Sequence, residues 1–125
     1  MRVRPVQNGP GLSTREEYVV LCVTVDSYVI VNQHGVPLPY AKERFHVTCR
    51  AIPPGWRRHR ERDEVRFEHP RASFELYEEA LFGTDPSART RLLAILGELL
   101  AWEDREYRPI VALAIRRLEA LLSWR

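Results

Sequence analysis

The sequence lacks any run of about 18 or more apolar residues, the length that a membrane-spanning helix requires. It contains only two cysteines, Cys22 and Cys49, whose spacing matches neither a metal site nor a redox motif. A disulfide is geometrically possible if their strands are neighbours, but in a reducing compartment we expect two buried thiols. The first residues are basic without the apolar centre of a secretory signal, and we therefore expect a cytoplasmic protein.

Motifs for catalysis and cofactor binding are also missing. No serine or cysteine lies in a nucleophile elbow, and no glycine-rich loop is present to hold a phosphate. Four histidines suggest a metal, but His46 and Cys49 are three residues apart on a predicted strand and point to opposite faces. The sequence predicts a protein that is not an enzyme and that holds no metal or cofactor.

Charge and size set further bounds. The 19 basic and 17 acidic residues leave a formal net charge of +2, too small to indicate nucleic-acid binding by itself. Only Lys42 is a lysine, a bias typical of a GC-rich bacterial genome. The 125 residues, 45% of them hydrophobic, are expected to form one domain over residues 1–125 with its own core.

Residues 17–31 organise the chain as two β-branched runs joined at Asp26 and Ser27. Strict alternation divides the first run into two faces: Tyr18, Val20, Cys22 and Thr24 against Val19, Leu21, Val23 and Val25. Because both faces are largely apolar, the strand is expected inside a sheet that is covered on both sides or curled into a small barrel. A tight hairpin connects the two runs.

The fold class predicted from the whole pattern is α+β. Residues 1–13 are expected to form a flexible leader or irregular edge segment, and residues 17–68 a small antiparallel sheet or partly open barrel. Within it, residues 36–40 carry two prolines that only an edge strand or an extended connection tolerates, and residues 57–64 are expected to form a charged hairpin loop.

Helical periodicity begins at Ser73, so residues 73–125 form the helical part. A short acidic helix is followed by two long helices that open near Asp85-Pro86 and Pro109 and pack as a C-terminal antiparallel hairpin. Their apolar surface is wider than one partner helix needs. The excess covers the sheet or forms a homodimer.

Two surfaces are candidates for binding. Four acidic residues could form a negative surface that docks on a basic protein partner, or they are an ordinary solvated exterior: Glu75, Glu78, Glu79 and Asp85. Four arginines beside one tryptophan could bind phosphates and stack on a base: Trp56, Arg57, Arg58, Arg60 and Arg62. Interleaved acidic residues also allow the second set to be a charge-compensated solvated loop.

Several segments, taken in order, resemble a group of small bacterial proteins of uncharacterised or immunity-like type, some encoded near toxins. The segments that carry the resemblance are residues 11–12, 17–21, 35–37, 45–47, 52–56, 74–79 and 82–86. The resemblance implies a small β unit followed by helices, and a role in binding and neutralising a protein partner. The arginine-rich loop and the final helical hairpin depart from the group's pattern.

The function expected is that of a protein-binding module, an immunity or antitoxin-like inhibitor that neutralises a partner protein such as a toxin by occlusion. No membrane is expected to take part. Two alternatives remain at this point. One is a nucleic-acid-binding regulator that uses the arginine-rich loop. The other is a structural subunit of a larger bacterial assembly.

Overall fold

The structure is a computed structural model that describes residues 1–61, 64–70, 76–77, 79–80 and 86–123. It has an α+β arrangement in which an antiparallel sheet precedes two helices. The elements are β1 (Arg2–Pro5), β2 (Tyr18–Val23), β3 (Ser27–Val31), β4 (Pro37–Ala41), a 3-10 turn (Lys42–Arg44), β5 (Phe45–Cys49), β6 (Arg57–Glu61), β7 (Glu64–Glu68), α1 (Pro86–Trp102) and α2 (Arg108–Ser123). Residues 76–77 and 79–80 are helical as well.

The sheet is open and runs in the order β4-β3-β2-β1-β5, with β7 paired to β2 and β6 paired to β7. β1 pairs with the beginning of β2, at Tyr18 and Val19, whereas β7 pairs with its end, at Cys22 and Val23. The prediction that β2 lies inside the sheet is therefore confirmed. The proline-bearing β4 lies at one end of the order, as expected for a strand with missing donors.

The prediction of a flexible leader over residues 1–13 is wrong for its first part. Strand β1 lies between β2 and β5, not at an edge, and both neighbours are antiparallel to it. Val3 is fully buried, and Arg2, although charged, is only 6% exposed. The sequence does not indicate a buried strand here, because two of its four residues are arginine, which is ordinarily a surface residue.

Strict alternation along β2 is also wrong, because the strand contains a β-bulge. The register shifts between Val20 and Cys22, so that one extra residue, Leu21, lies opposite β3. Leu21 and Cys22 consequently pack into the same core, and Val23 joins the opposite one. Val25 lies beyond the strand and is exposed.

Two hydrophobic cores meet on β2. The first lies between the sheet and the helices and contains Val19, Leu21, Val29, Val31, Leu92, Ile95, Leu96, Leu99, Val111 and Leu118. The second lies on the other face of the sheet and contains Val3, Val20, Ile30 and Phe45, with Tyr28 and Tyr40 edge-on to Phe45. The helices therefore cover one face of the sheet, the first of the two arrangements expected for them.

The helical pair begins and turns at the predicted prolines. Pro86 occupies the first position of α1, where its missing N–H has no intrahelical partner to lose. Pro109 is the second residue of α2, and residues 103–107 connect the two helices. Asp85, the predicted cap, lies outside the described residues. In the part of the chain that the structure describes, neither helix is long and apolar enough to cross a bilayer.

A buried ion pair joins β1 to the helix connection. Arg2 Nη1 donates a hydrogen bond to Glu103 Oε1 at 2.7 Å, and both side chains are more than nine-tenths buried. The Arg2 guanidinium also lies 3.5 Å from the ring centroid of Tyr107, and its Nε is 3.4 Å from Glu17 Oε2. Because an isolated charge in a core is costly, these partners are what allow Arg2 to be buried.

A second ion pair joins α2 to the segment before β2. Arg117 donates two hydrogen bonds to the Glu16 carboxylate, each 2.9 Å long, and these bonds lower the pKa of Glu16.

The turn between β3 and β4 approaches α2 closely at Gly35. Gly35 has φ of 82°, and a Cβ at this position would overlap the carbonyl oxygen of Arg117. Only glycine allows the β3–β4 turn to approach α2 so closely.

Gly35→Ala is expected to destabilise the protein strongly, because positive φ alone costs about 1 to 3 kcal/mol in a non-glycine residue and the contact with α2 adds to it. Gly55→Ala shares the positive φ, 87°, but has no atom within 4 Å, so it isolates the backbone effect. Gly97→Ala, inside α1 with open space around it, should instead stabilise by roughly 0.5 to 1 kcal/mol.

Urea unfolding of the three variants checks this order of stability. Equal losses for Gly35→Ala and Gly55→Ala would contradict a tight contact between the turn and α2.

Candidate functional site

A cleft opens where the turn before β6, the residues after β7 and the C-terminal half of α1 meet. Its volume is about 430 Å³. The lining residues are Pro53, Pro54, Gly55, Trp56, His69, Pro70, Glu98, Leu99 and Trp102. Among the described residues, two indole rings and three prolines form most of the wall, and the ionisable groups in it are one imidazole and one carboxylate.

The turn at residues 53–56 builds one wall of the cleft. Trp56 N donates to Pro53 O at 3.4 Å, and Gly55 between them has positive φ. Proline in the second position and a positive-φ glycine in the third are the pattern of a type II turn. The rigid corner predicted from the sequence is therefore present, and it places Trp56 half-buried against the first core.

An imidazole and a carboxylate form the polar part of the cleft. His69 is only 4% exposed, and its Nε2 lies 2.6 Å from Glu98 Oε2. Trp56 packs on the imidazole with the ring centroids 5.7 Å apart and the planes at 79°. A buried polar ring requires such a partner, so this pair fixes the chain after β7 against α1.

Sequence reasoning did not identify this pair as a site. No pattern marks His69 as a site residue, because it lies between charged residues and a proline. Its partner Glu98 is 29 residues away in an apolar helix. The one available signal was the rigid corner that ends in Trp56, since a fixed tryptophan at a sheet margin is a common wall of a binding site.

The predicted acidic surface is only partly within the described residues. Glu79 is exposed on a helical segment, whereas Glu75, Glu78 and Asp85 lie outside the part that the structure describes. The segment is anchored by its other side, since Leu76, Tyr77 and Ala80 are buried in the first core. Tyr77 Oη donates to Leu21 O at 3.2 Å, and burial raises the pKa of this hydroxyl, which keeps it a donor.

The arginine-rich segment is a strand, which corrects its prediction as a loop. Residues Arg57–Glu61 form β6 and pair in register with β7, Arg57 opposite Glu68. The run lacks the alternation of apolar and polar residues that indicates a strand, and the pairing with β7 determines its structure instead. Arg57 and Arg58 are exposed, and the Arg58 guanidinium lies 5.8 Å from the Phe67 ring centroid. The Arg60 side chain and all of Arg62 lie outside the described residues.

Neither cysteine is placed as a nucleophile. Both thiols are free, as predicted, and β1 lies between the strands that carry them. Burial, with a smaller contribution from the Glu68 charge, raises the pKa of Cys22 to about 11. Among the residues that the structure describes, no group of three or more metal-ligating side chains comes together.

Comparison of the chain with protein-family models, with curated proteins and with solved structures found no match. The geometry of the cleft and of the surfaces beside it is therefore what indicates the function.

The two thiols should differ sharply in reactivity. With an aromatic disulfide reagent at pH 8, the half-buried Cys49 of the native protein is expected to react, and Cys22 only after unfolding, because its raised pKa leaves almost no thiolate. The release of one thiol equivalent from native protein and two in denaturant checks this. Rapid labelling of native Cys49→Ser would contradict the burial of Cys22.

Proposed function

We propose that this chain is a cytoplasmic protein-binding module of the immunity or antitoxin-like type, which neutralises a partner protein by covering its functional surface. The observation that carries the proposal is the tryptophan-walled cleft between the sheet and α1. The protein acts here by binding, without catalysis and without a cofactor.

The composition of the cleft favours a side chain of a protein as its occupant. Tryptophan is among the residues most enriched at the energetic centres of protein interfaces, where a preformed pocket receives an anchor from the partner. Leu99 and His69 are almost completely buried, so the floor of the cleft is held by the core. With one polar pair in an apolar wall, the cleft suits a single anchoring residue, and the exposed surface around it supplies the remaining contacts.

The lining offers little for chemistry. It includes no serine, threonine, cysteine, lysine or tyrosine among the described residues, so no side chain of these types stands beside the imidazole as a nucleophile. A histidine and a carboxylate alone could transfer a proton. Among the described lining residues, however, no further polar side chain would position the reacting bond of a substrate beside them. A binding site needs only the residues that line the cleft, whereas a catalytic site would need further reactive groups.

Blocking the mouth of the cleft should weaken partner binding. Pro54 is exposed at its rim, and Pro54→Trp places a large ring there without removing a buried contact. The partner is first captured from the native host with the tagged chain. One stoichiometric protein that survives high salt is the expected result. Calorimetry should then show at least about tenfold weaker binding by Pro54→Trp, about 1.4 kcal/mol.

Pro39→Trp is the matched control, since Pro39 is exposed on edge strand β4, outside the cleft. It should bind like the unchanged chain. Thermal unfolding of both variants reports on the fold. If a folded Pro54→Trp variant keeps full affinity, or if Pro39→Trp loses as much, the cleft is not the contact surface.

A nucleic-acid-binding regulator is the second candidate, favoured by one observation. Arg57 and Arg58 are both exposed directly after Trp56, an arrangement that can place guanidinium groups on phosphates beside an aromatic ring. Against it, Arg57 lies opposite Glu68 in the register, which compensates part of its charge.

The salt dependence of binding tests this candidate. If the arginines contact phosphates, replacing Arg57 and Arg58 with alanine should reduce the slope of log affinity against log salt by roughly 1.4 to 1.8, for single-stranded and duplex nucleic acid respectively. Replacing Arg15 and Arg116, which are exposed elsewhere, makes the same change in net charge and should leave the slope nearly unchanged. An unchanged affinity for every nucleic acid after the first double replacement excludes this function.

A further inference from the structure

We infer that the chain has a second binding surface, which takes an acidic segment of a protein and lies on the face of the sheet opposite to the helices. Three cations form this surface, which we call the cationic face: Lys42, Arg50 and Arg58. The inference goes beyond the proposed function, because none of the three is among the described residues that line the cleft.

A row of paired residues across four neighbouring strands forms the base of the cationic face. Arg58 in β6 pairs with Phe67 in β7. Val23 in β2 pairs with Phe67 on one side and with Tyr28 in β3 on the other. Val23 and Tyr28 belong to the second core and Phe67 packs against it, so the row lies on the face away from the helices. With neighbouring strands about 4.8 Å apart, Phe67 and Tyr28 lie roughly 10 Å from each other.

The two aromatic rings of this row hold two of the cations in place. Lys42 Nζ lies 5.8 Å from the Tyr28 ring centroid, and the Arg58 guanidinium lies 5.8 Å from the Phe67 ring centroid. The face of an aromatic ring attracts a cation at this distance. Because these contacts limit the motion of both side chains, less conformational entropy is lost when the carboxylates of a partner bind them.

Arg50 brings the third charge to the same row. It follows β5 directly and is exposed. Burial raises the pKa of the Tyr28 hydroxyl, and the Arg50 charge acts on that pKa in the opposite direction, so the guanidinium lies close to the hydroxyl. Tyr28 is only 8% exposed, yet its hydroxyl forms no hydrogen bond within the described part of the chain. A buried hydroxyl beside two cations can donate to a carboxylate oxygen, which would supply the missing partner.

The positive charge of the cationic face is not neutralised by described residues. No described carboxylate lies within ion-pair distance of its three cations. Asp26, whose main-chain oxygen accepts from Lys42 N, accepts with its carboxylate from two hydroxyls of its own turn. Glu43 lines a separate pocket. Next to Arg58, residues 59–66 carry three arginines and three acidic residues and therefore add no net charge. The surplus of positive charge fits a negatively charged partner.

The rings and an apolar neighbour favour a protein over a nucleic acid as this partner. Tyr28 is buried and Phe67 is half-buried, so neither presents a free ring face on which a base could stack. Val25, in the turn between β2 and β3, is 41% exposed, and Lys42 N donates to the oxygen of the next residue, Asp26. An apolar side chain beside a charged surface suits the mixed contacts of a protein interface. The expected ligand is thus a run of glutamate or aspartate residues.

Synthetic peptides test this chemistry without the partner. An acetylated octapeptide of alternating glutamate and glycine is titrated into the protein in about 0.1 M salt. The same peptide with glutamine in place of glutamate is the comparison. The ring resonances of Tyr28, assigned with Tyr28→Phe, report on occupancy. The glutamate peptide should give saturable shifts at concentrations at least about tenfold lower than the glutamine peptide. Equal binding of the two peptides overturns the inference.

Charge-matched variants locate the site. Replacing all three cations of the cationic face with glutamine should weaken binding of the glutamate peptide by about tenfold or more. The control replaces three exposed arginines with glutamine and so makes the same change in net charge: Arg15, Arg91 and Arg116. It should leave the affinity nearly unchanged, because salt screens charges that are more than about 10 Å away. Thermal unfolding reports on the fold of both variants. Equal losses, or full binding by the folded first variant, contradict the inference.

Two further measurements separate this surface from the other functions. If an oligothymidylate with as many charges as the glutamate peptide binds more tightly and also requires the three cations, the face takes phosphates and the acidic protein segment is wrong. Pro54→Trp, which blocks the cleft, should bind the glutamate peptide like the unchanged chain, and a tenfold loss would show that the peptide uses the cleft instead. Failure to capture a partner through the cleft contradicts the proposed function and leaves peptide binding by the cationic face intact.

Discussion

The burial of β2 on both faces is the constraint on which the rest of the structure depends. All six residues Tyr18–Val23 are buried, and each face belongs to a different core. Such a strand needs partners along both edges and a layer above and below it. β3 takes one edge, while β1 and β7 divide the other between them. Because β7 ends beside α1, the division of that edge also determines where the cleft forms.

Two ion pairs and one imidazole–carboxylate hydrogen bond hold the helical layer in place over this sheet. Arg2 with Glu103, Glu16 with Arg117, and His69 with Glu98 each join a residue of the β-rich half to a residue of the helical half. Apolar packing is tolerant of small shifts, whereas paired charges require a defined geometry. The pairs therefore fix the position of α1 relative to the turn that carries Trp56. A cleft between two layers keeps its shape only if the layers keep their register.

The features that could be predicted from the sequence are those encoded locally. The β-branched runs, the proline-bearing edge strand, the corner before Trp56 and the helix start at Pro86 each follow from residues adjacent in the chain. Strand β1 was hidden because the burial of Arg2 depends on Glu103, 101 residues away. The bulge at Leu21 is a property of pairing, and periodicity alone does not reveal it. The cleft joins three separate segments, so no single stretch could indicate it.

The pairing of Arg2 with Glu103 has a consequence for the order in which the chain folds as it is synthesised. The described strands of the sheet are complete once Glu68 has been synthesised, but two of the partners of the buried guanidinium, Glu103 and Tyr107, are still to come. A β unit assembled at that stage would enclose a guanidinium that only Glu17 compensates, or would leave β1 undocked. Final docking of the first strand therefore waits until α1 and the residue after it have left the ribosome. The first strand to be translated is thus the last one to dock stably in the sheet.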